Sequence, residues 1–129
     1  MIRRFLVVLV VALLLQATAF AIHYDDLLFL RRPIPEIVGG SKATFISHAE
    51  TALGRRRLTV KHLDAIADAA GTFGLIDMEV TALERRVVAT PSDRAARLRL
   101  ADALRRAKRF AEAESIFLDI LSSSDRAHP

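Results

Sequence analysis

The chain has no cysteine and no tryptophan among its 129 residues. Without cysteine, disulfide bonds, thiolate catalysis, cysteine-based zinc sites and lipid attachment to a cysteine are all excluded. Aromatic residues make up only 6% of the chain. The residues that dominate instead are alanine, leucine and arginine, a composition typical of helical proteins.

Sustained alternation of apolar and polar residues is also missing, so the sequence predicts no strands and an all-α fold. The formal net charge is +4, and Arg3 and Arg4 contribute two of those charges. The remaining excess is mild and does not call for nucleic acid as a partner.

Residues 1–21 have the pattern of a targeting segment, either a signal peptide or a membrane anchor. A short basic head ending at Arg4 precedes an unbroken apolar run over residues 5–15. Ala17-Thr18-Ala19 and Ala19-Phe20-Ala21 both fit the small-x-small pattern of a signal-peptide cleavage site. Retention as an anchor is the alternative, because residues 5–22 carry no charge and are long enough to contact and cross a bilayer. Either reading predicts an exported, extracytoplasmic protein, periplasmic if the source is bacterial.

The rest of the chain divides into three segments. Residues 22–40 contain Pro33, Pro35 and Gly39-Gly40 and are predicted to form a linker. Residues 41–125 are predicted to form a helical domain, and residues 126–129 a tail. Ser41, Thr59 and Thr90 are the predicted N-caps of successive helices, and Gly54 and Gly74 are predicted to lie in turns.

Apolar and small residues repeat in the helical domain at an interval of 34 positions. In the later copy they are Leu100, Ala101, Leu104, Ala113, Phe117 and Leu121. The earlier copy has Ile66, Ala67, Ala70, Glu79, Leu83 and Val87 at the same positions. Helical hairpins repeated at this interval predict a short α-solenoid of two to two and a half antiparallel hairpins after the N-terminal hydrophobic helix.

Residues 96–121 resemble a tetratricopeptide repeat. Leu100-Ala101, Ala113 and Phe117 stand where that family has its large-small pair, its small residue and its bulky aromatic. The sequence departs from the family at Arg97, where a large aromatic is common, and at Lys108, where glycine is common. The resemblance implies a protein-binding groove with contributions from Ala67, Arg97, Ala101 and Leu104. An ordinary small helical bundle is the structural alternative.

Catalytic and metal-binding patterns are missing, and we expect a protein without catalytic residues, cofactor or metal. The four histidines form no pair at i, i+4, and His62 with Asp64 and Asp68 is read as a solvent-facing set. Two arginine-rich turns, residues 55–57 and 105–109, are either solvated or an electropositive rim for an anionic partner.

Two functions follow from these patterns. The first is a non-catalytic adaptor or assembly factor that is exported or membrane-tethered and binds another protein. The alternative is a small structural subunit of a membrane protein complex that retains its N-terminal helix as an anchor. The apolar stripe of the last helix predicts either self-association or dependence on a partner.

Overall fold

The chain is all-α over the residues that the computed structural model describes, which are 1–30, 34–55 and 57–125. Residues 21–30, 35, 36 and 125 are described by their backbone alone. No strand occurs in these ranges, as the sequence predicts. The helices are α1 (Ile2–Leu30), α2 (Ile34–Val38), α3 (Lys42–Leu53), α4 (Val60–Thr72), α5 (Ile76–Ala89), α6 (Arg94–Arg106) and α7 (Phe110–Asp125).

Helix α1 belongs to the first of two compact units, Met1–Pro33 and Ile34–Pro129. Its segment Ile2–Phe20 is long and apolar enough to be a signal sequence or a membrane anchor, and none of it is buried. The helix continues without interruption to Leu30, beyond residue 22 where the apolar stretch ends. This extension lies in residues 22–40, which the sequence predicts to be a linker.

Helix α2 lies in the segment that the sequence assigns to a linker. It packs against α3 and α4, and Ile37 is buried in the core. Pro35 is compatible with this helix because it is the second helical residue, where the missing backbone N–H has no intrahelical partner to lose. Ile34–Val38 is therefore helical within the segment 22–40 that the sequence predicts to be a linker.

The helices of the second unit follow a 34-residue register. Three helices end at positions spaced by that interval: Val38, Thr72 and Arg106. The three helices that follow them begin at the same spacing: Lys42, Ile76 and Phe110. Contacts join α2 to α3, α4 to α5, α5 to α6 and α6 to α7. The interval read from side chains is thus also an interval between helix boundaries.

Two helix N-termini match the sequence prediction and one does not. Ser41 and Thr59 cap α3 and α4 by accepting hydrogen bonds from the backbone N–H of Thr44 and His62. Helix α6 is capped by Asp93, whose carboxylate accepts from the N–H of Ala96 at 3.1 Å. The predicted cap Thr90 is wrong because Thr90 ends α5 and a turn separates it from α6.

The core runs along the packed faces of α2 to α7. Its largest fully buried side chains are Phe45, Leu63, Ile66, Leu83, Leu104 and Val80. The predicted stripes of α4 and α6 are buried as expected. In α7, however, Ala113 and Ile120 are buried, whereas Phe117 is 36% exposed. The family position of Phe117 implies a gap-filling aromatic, and α6 alone does not enclose its ring.

Candidate protein-binding surfaces

Three of the four residues predicted to line a binding groove lie in the core. Ala67 of α4 and Ala101 of α6 are fully buried, and Leu104 of α6 is also buried. These side chains hold the helices together and present no surface to a partner. Arg97 is half-buried and forms an ion pair with Asp119 of α7. A role in partner binding stays a prediction for Arg97.

Glu79, the polar exception in the repeat pattern, is buried and ion-paired. Arg106 Nη2 donates to Glu79 Oε1 at 2.7 Å, and Nη1 donates to Oε2 at 3.0 Å. The pair joins the first turn of α5 to the last turn of α6, where helix dipoles favour an anion and a cation respectively. The Glu79 carboxylate lies against Gly71, where an added Cβ would be 3.4 Å from the carboxyl carbon, at ordinary van der Waals contact. The charge therefore has a structural role between two helices.

Arg86 is a second buried charge and joins three helices. Its Nε donates to Asp64 Oδ1 at 3.0 Å, and its Nη2 donates to Asp93 Oδ2 at 2.7 Å. Burial acts to lower the pKa of Arg86, but hydrogen bonds to Asp93 and Asp64 outweigh it and raise the pKa. Sequence reasoning missed this residue. The available signal was the register itself, which aligns Arg86 with the buried Ile120.

His62 is buried at the start of α4. The prediction that it faces solvent is therefore wrong. Its Nδ1 lies within hydrogen-bond distance of the Thr59 hydroxyl that caps the same helix. Asp64 forms an ion pair with Arg86, and Asp68 forms one with Arg99 of α6. Within residues 1–30, 34–55 and 57–125, no group of three or more histidine or carboxylate side chains is placed to hold a metal ion.

The arginine-rich turn between α6 and α7 is largely neutralised by carboxylates. Arg105 and Arg106 both donate to Asp102, and these bonds lower the pKa of the Asp102 carboxyl. Arg109 donates to Glu112 and to Glu84 of α5. The hydrogen bonds from Arg109 lower the pKa of Glu112. The arginines of residues 105–109 are therefore better explained by ion pairs within the protein than by an electropositive rim for an anionic partner.

A cleft lies between α3 and the start of α5. Its volume is about 670 Å³. Apolar side chains form most of its lining: Ile46, Leu53, Leu75, Ile76 and Met78. Glu50 and Asp77 give it an acidic rim. It therefore suits a ligand that combines an apolar group with a cationic one.

The outer face of α7 carries the most exposed apolar side chains of the second unit's last two helices. Phe110, Leu118 and Leu121 are 61%, 58% and 59% exposed, and Phe117 lies beside them. Their spacing at i, i+7, i+8 and i+11 places them on one side of the helix. Glu114 is exposed on the same side. The four apolar residues with Glu114 are called the α7 face below.

The chain matches no protein-family model, and neither a curated protein nor a solved structure matches it.

Proposed function

We propose that this protein is a non-catalytic adaptor or assembly factor, exported or tethered to a membrane, that binds another protein through stacked helical units. The observation that carries the proposal is the common 34-residue register of the helix boundaries in α2–α7. Units repeated at this interval, each packed on the next, are typical of tetratricopeptide-like solenoids, which serve as protein-binding scaffolds.

The second support is the segment Ile2–Phe20, which suits a signal sequence or an anchor. Such a segment would direct α2–α7 out of the cytoplasm under either reading. Binding would then use exposed residues of the helical units, since Ala67, Ala101 and Leu104 are buried. The cleft between α3 and α5 and the α7 face are two exposed apolar surfaces, among the residues that the structure describes, that fit this role.

A small structural subunit of a membrane protein complex is the second candidate. The continuity of α1 favours it. At about 1.5 Å per residue, the 19 residues of Ile2–Phe20 span about 28 Å, close to the roughly 30 Å of a bilayer core. Thr18, inside one of the small-x-small motifs, donates to the carbonyls of Leu14 and Leu15 within the helix. A retained anchor would leave this helix in one piece with Ile2–Phe20 as its membrane segment, whereas cleavage would divide it.

The test is the mass and extraction behaviour of the native protein, followed by site-specific photocrosslinking in intact cells. An intact N-terminus with extraction by detergent alone supports the subunit, and a soluble form that starts near residue 20 or 22 supports the adaptor. Photoreactive residues placed in turn along the exposed positions of α3, α5 and α7 should yield a discrete heteromeric adduct. Lack of any adduct at every position would overturn both functions.

A further inference from the structure

Helix α7 has a neighbouring helix on one side, whereas α5, its counterpart 34 residues earlier, has neighbouring helices on two sides. Helix α5 packs against both α4 and α6, whereas α7 packs extensively against α6 alone within the described residues. The difference appears at equivalent side chains. Val80 and Leu83 of α5 are buried, and the residues in the same register of α7, Glu114 and Phe117, are exposed.

The interface between α5 and α6 indicates which kind of element fits such a face. Helix α6 is amphipathic and basic: it buries Leu100 and Leu104 and carries five arginines in its sequence RAARLRLADALRR. One of these, Arg106, reaches the acidic Glu79 of α5. A basic amphipathic helix is therefore the element that this fold already packs on the second helix of a unit.

The charges of α7 match such an occupant. Glu112, Glu114 and Asp119 are acidic, and the helix FAEAESIFLDILSSSD contains no lysine or arginine. Glu112 and Asp119 are paired with Arg109 and Arg97 on the side away from the exposed apolar residues. Glu114 lies among the exposed apolar residues, where an arginine or lysine of an incoming helix would meet it.

We infer that the α7 face docks a basic amphipathic helix of a partner protein, in the position that α6 occupies on α5. The inference rests on the proposed protein-binding function and adds the site and the chemistry of the partner. Docking buries Phe117, Leu118 and Leu121 against the apolar stripe of that helix. A second copy of α7 is a poor occupant, because this helix has no lysine or arginine to pair with Glu114.

The probe is a synthetic peptide with the sequence of residues 94–106, labelled for fluorescence anisotropy. It is titrated against the full-length protein in a non-ionic detergent, so that binding to micelles is common to all variants. Leu118→Gln tests the apolar residues of the face and Glu114→Gln its charge. Val88→Gln is the matched control, because Val88 is an exposed apolar residue of α5 that lines a cleft with Leu58 and Leu63 and is not part of the α7 face. A peptide with all five arginines replaced by glutamate is the control for charge.

We expect the basic peptide to bind, with affinity reduced at least tenfold by Leu118→Gln, at least threefold by Glu114→Gln, and not at all by Val88→Gln. The glutamate peptide should not bind. Equal binding to the Leu118 and Val88 variants would overturn the inference, as would equal binding of the two peptides. A dimer in sedimentation equilibrium that Leu118→Gln dissociates would also overturn it, in favour of self-association.

Photocrosslinking separates failure of this site from failure of the proposed function. A photoreactive residue at position 118 should give an adduct with the partner, and one at position 88 should not. A partner that crosslinks at α3 or the start of α5 but never at position 118 overturns the α7 site and leaves the adaptor function standing.

Discussion

Gly74 and Lys108 occupy the same backbone position in two turns that lie 34 residues apart. Both have left-handed backbones, with φ of 70° and 62°. The turns also share a hydrogen bond: Leu75 N donates to Ala70 O, and Arg109 N donates to Leu104 O, each at 2.9 Å. These bonds close the ends of α4 and α6 as in a Schellman motif, which places glycine at the left-handed position. Lys108 therefore adopts a left-handed backbone conformation that glycine normally occupies.

Replacing Lys108 with glycine should stabilise the protein. The left-handed conformation costs a non-glycine residue about 1–2 kcal/mol, which glycine avoids. Part of this advantage is lost because glycine makes the unfolded chain more flexible. We expect Lys108→Gly to raise the free energy of unfolding by up to about 1 kcal/mol. Gly74→Ala should lower it by about 1 kcal/mol through backbone strain alone, since no atom lies within 4 Å of the added Cβ. Chemical denaturation measures both changes.

Gly54 provides the control for this comparison. Like Gly74 it is predicted to lie in a turn, but its φ is −70°, in the right-handed region. Gly54→Ala should therefore be neutral or stabilising by a few tenths of a kcal/mol. If Gly54→Ala and Gly74→Ala cost the same, backbone strain does not explain the choice of glycine at these turns.

Glu79→Ala should destabilise the protein although it restores the small residue that the repeat pattern predicts. The substitution leaves Arg106 without its two-bond partner and opens space beside Gly71. Since the Arg106 side chain is 42% exposed, we expect a loss of about 1–3 kcal/mol rather than the full cost of a broken buried pair. A double-mutant cycle with Arg106→Ala should give a coupling energy of about 1 kcal/mol. A coupling energy near zero would contradict the structural role assigned to this pair.

The features predicted correctly from the sequence are those that depend on the spacing of residues along a single helix. The all-α class, the stripes of α4 and α6 and the caps Ser41 and Thr59 follow from local rules, and the structure confirms them. Helix α2 was missed because its five residues are too short for a periodic pattern and contain a proline. The burial of Arg86 was missed because its partners Asp64 and Asp93 lie on other helices, and the spacing of residues along one helix cannot reveal such pairing.

Ala113 should tolerate no enlargement, whereas its neighbour Ala111 should. Ala113 is buried on the side of α7 that meets α6, and Ala111 is exposed. We expect Ala113→Leu to overpack this contact and lower the free energy of unfolding by about 1–3 kcal/mol, while Ala111→Leu stays within about 0.5 kcal/mol of the parent. Thermal unfolding of the two variants makes the comparison. Equal behaviour would mean that α7 does not approach α6 through Ala113.

Acid should destabilise the helical units through carboxylates that are bonded in the folded state. Hydrogen bonds from the N–H of Ala96 and from Arg86 lower the pKa of Asp93, and those from arginines lower the pKa of Asp102 and Glu112. A carboxyl with a lowered folded-state pKa adds stability above its unfolded-state pKa, about 4, and loses it as the pH falls through the folded-state value. The urea midpoint should therefore be nearly constant from pH 7 to about pH 5 and fall steadily below about pH 4. Asp93→Asn keeps a capping oxygen but removes the titrating group, so it should flatten the fall at acid pH. The same acid slope in Asp93→Asn and the parent would show that Asp93 does not contribute to it.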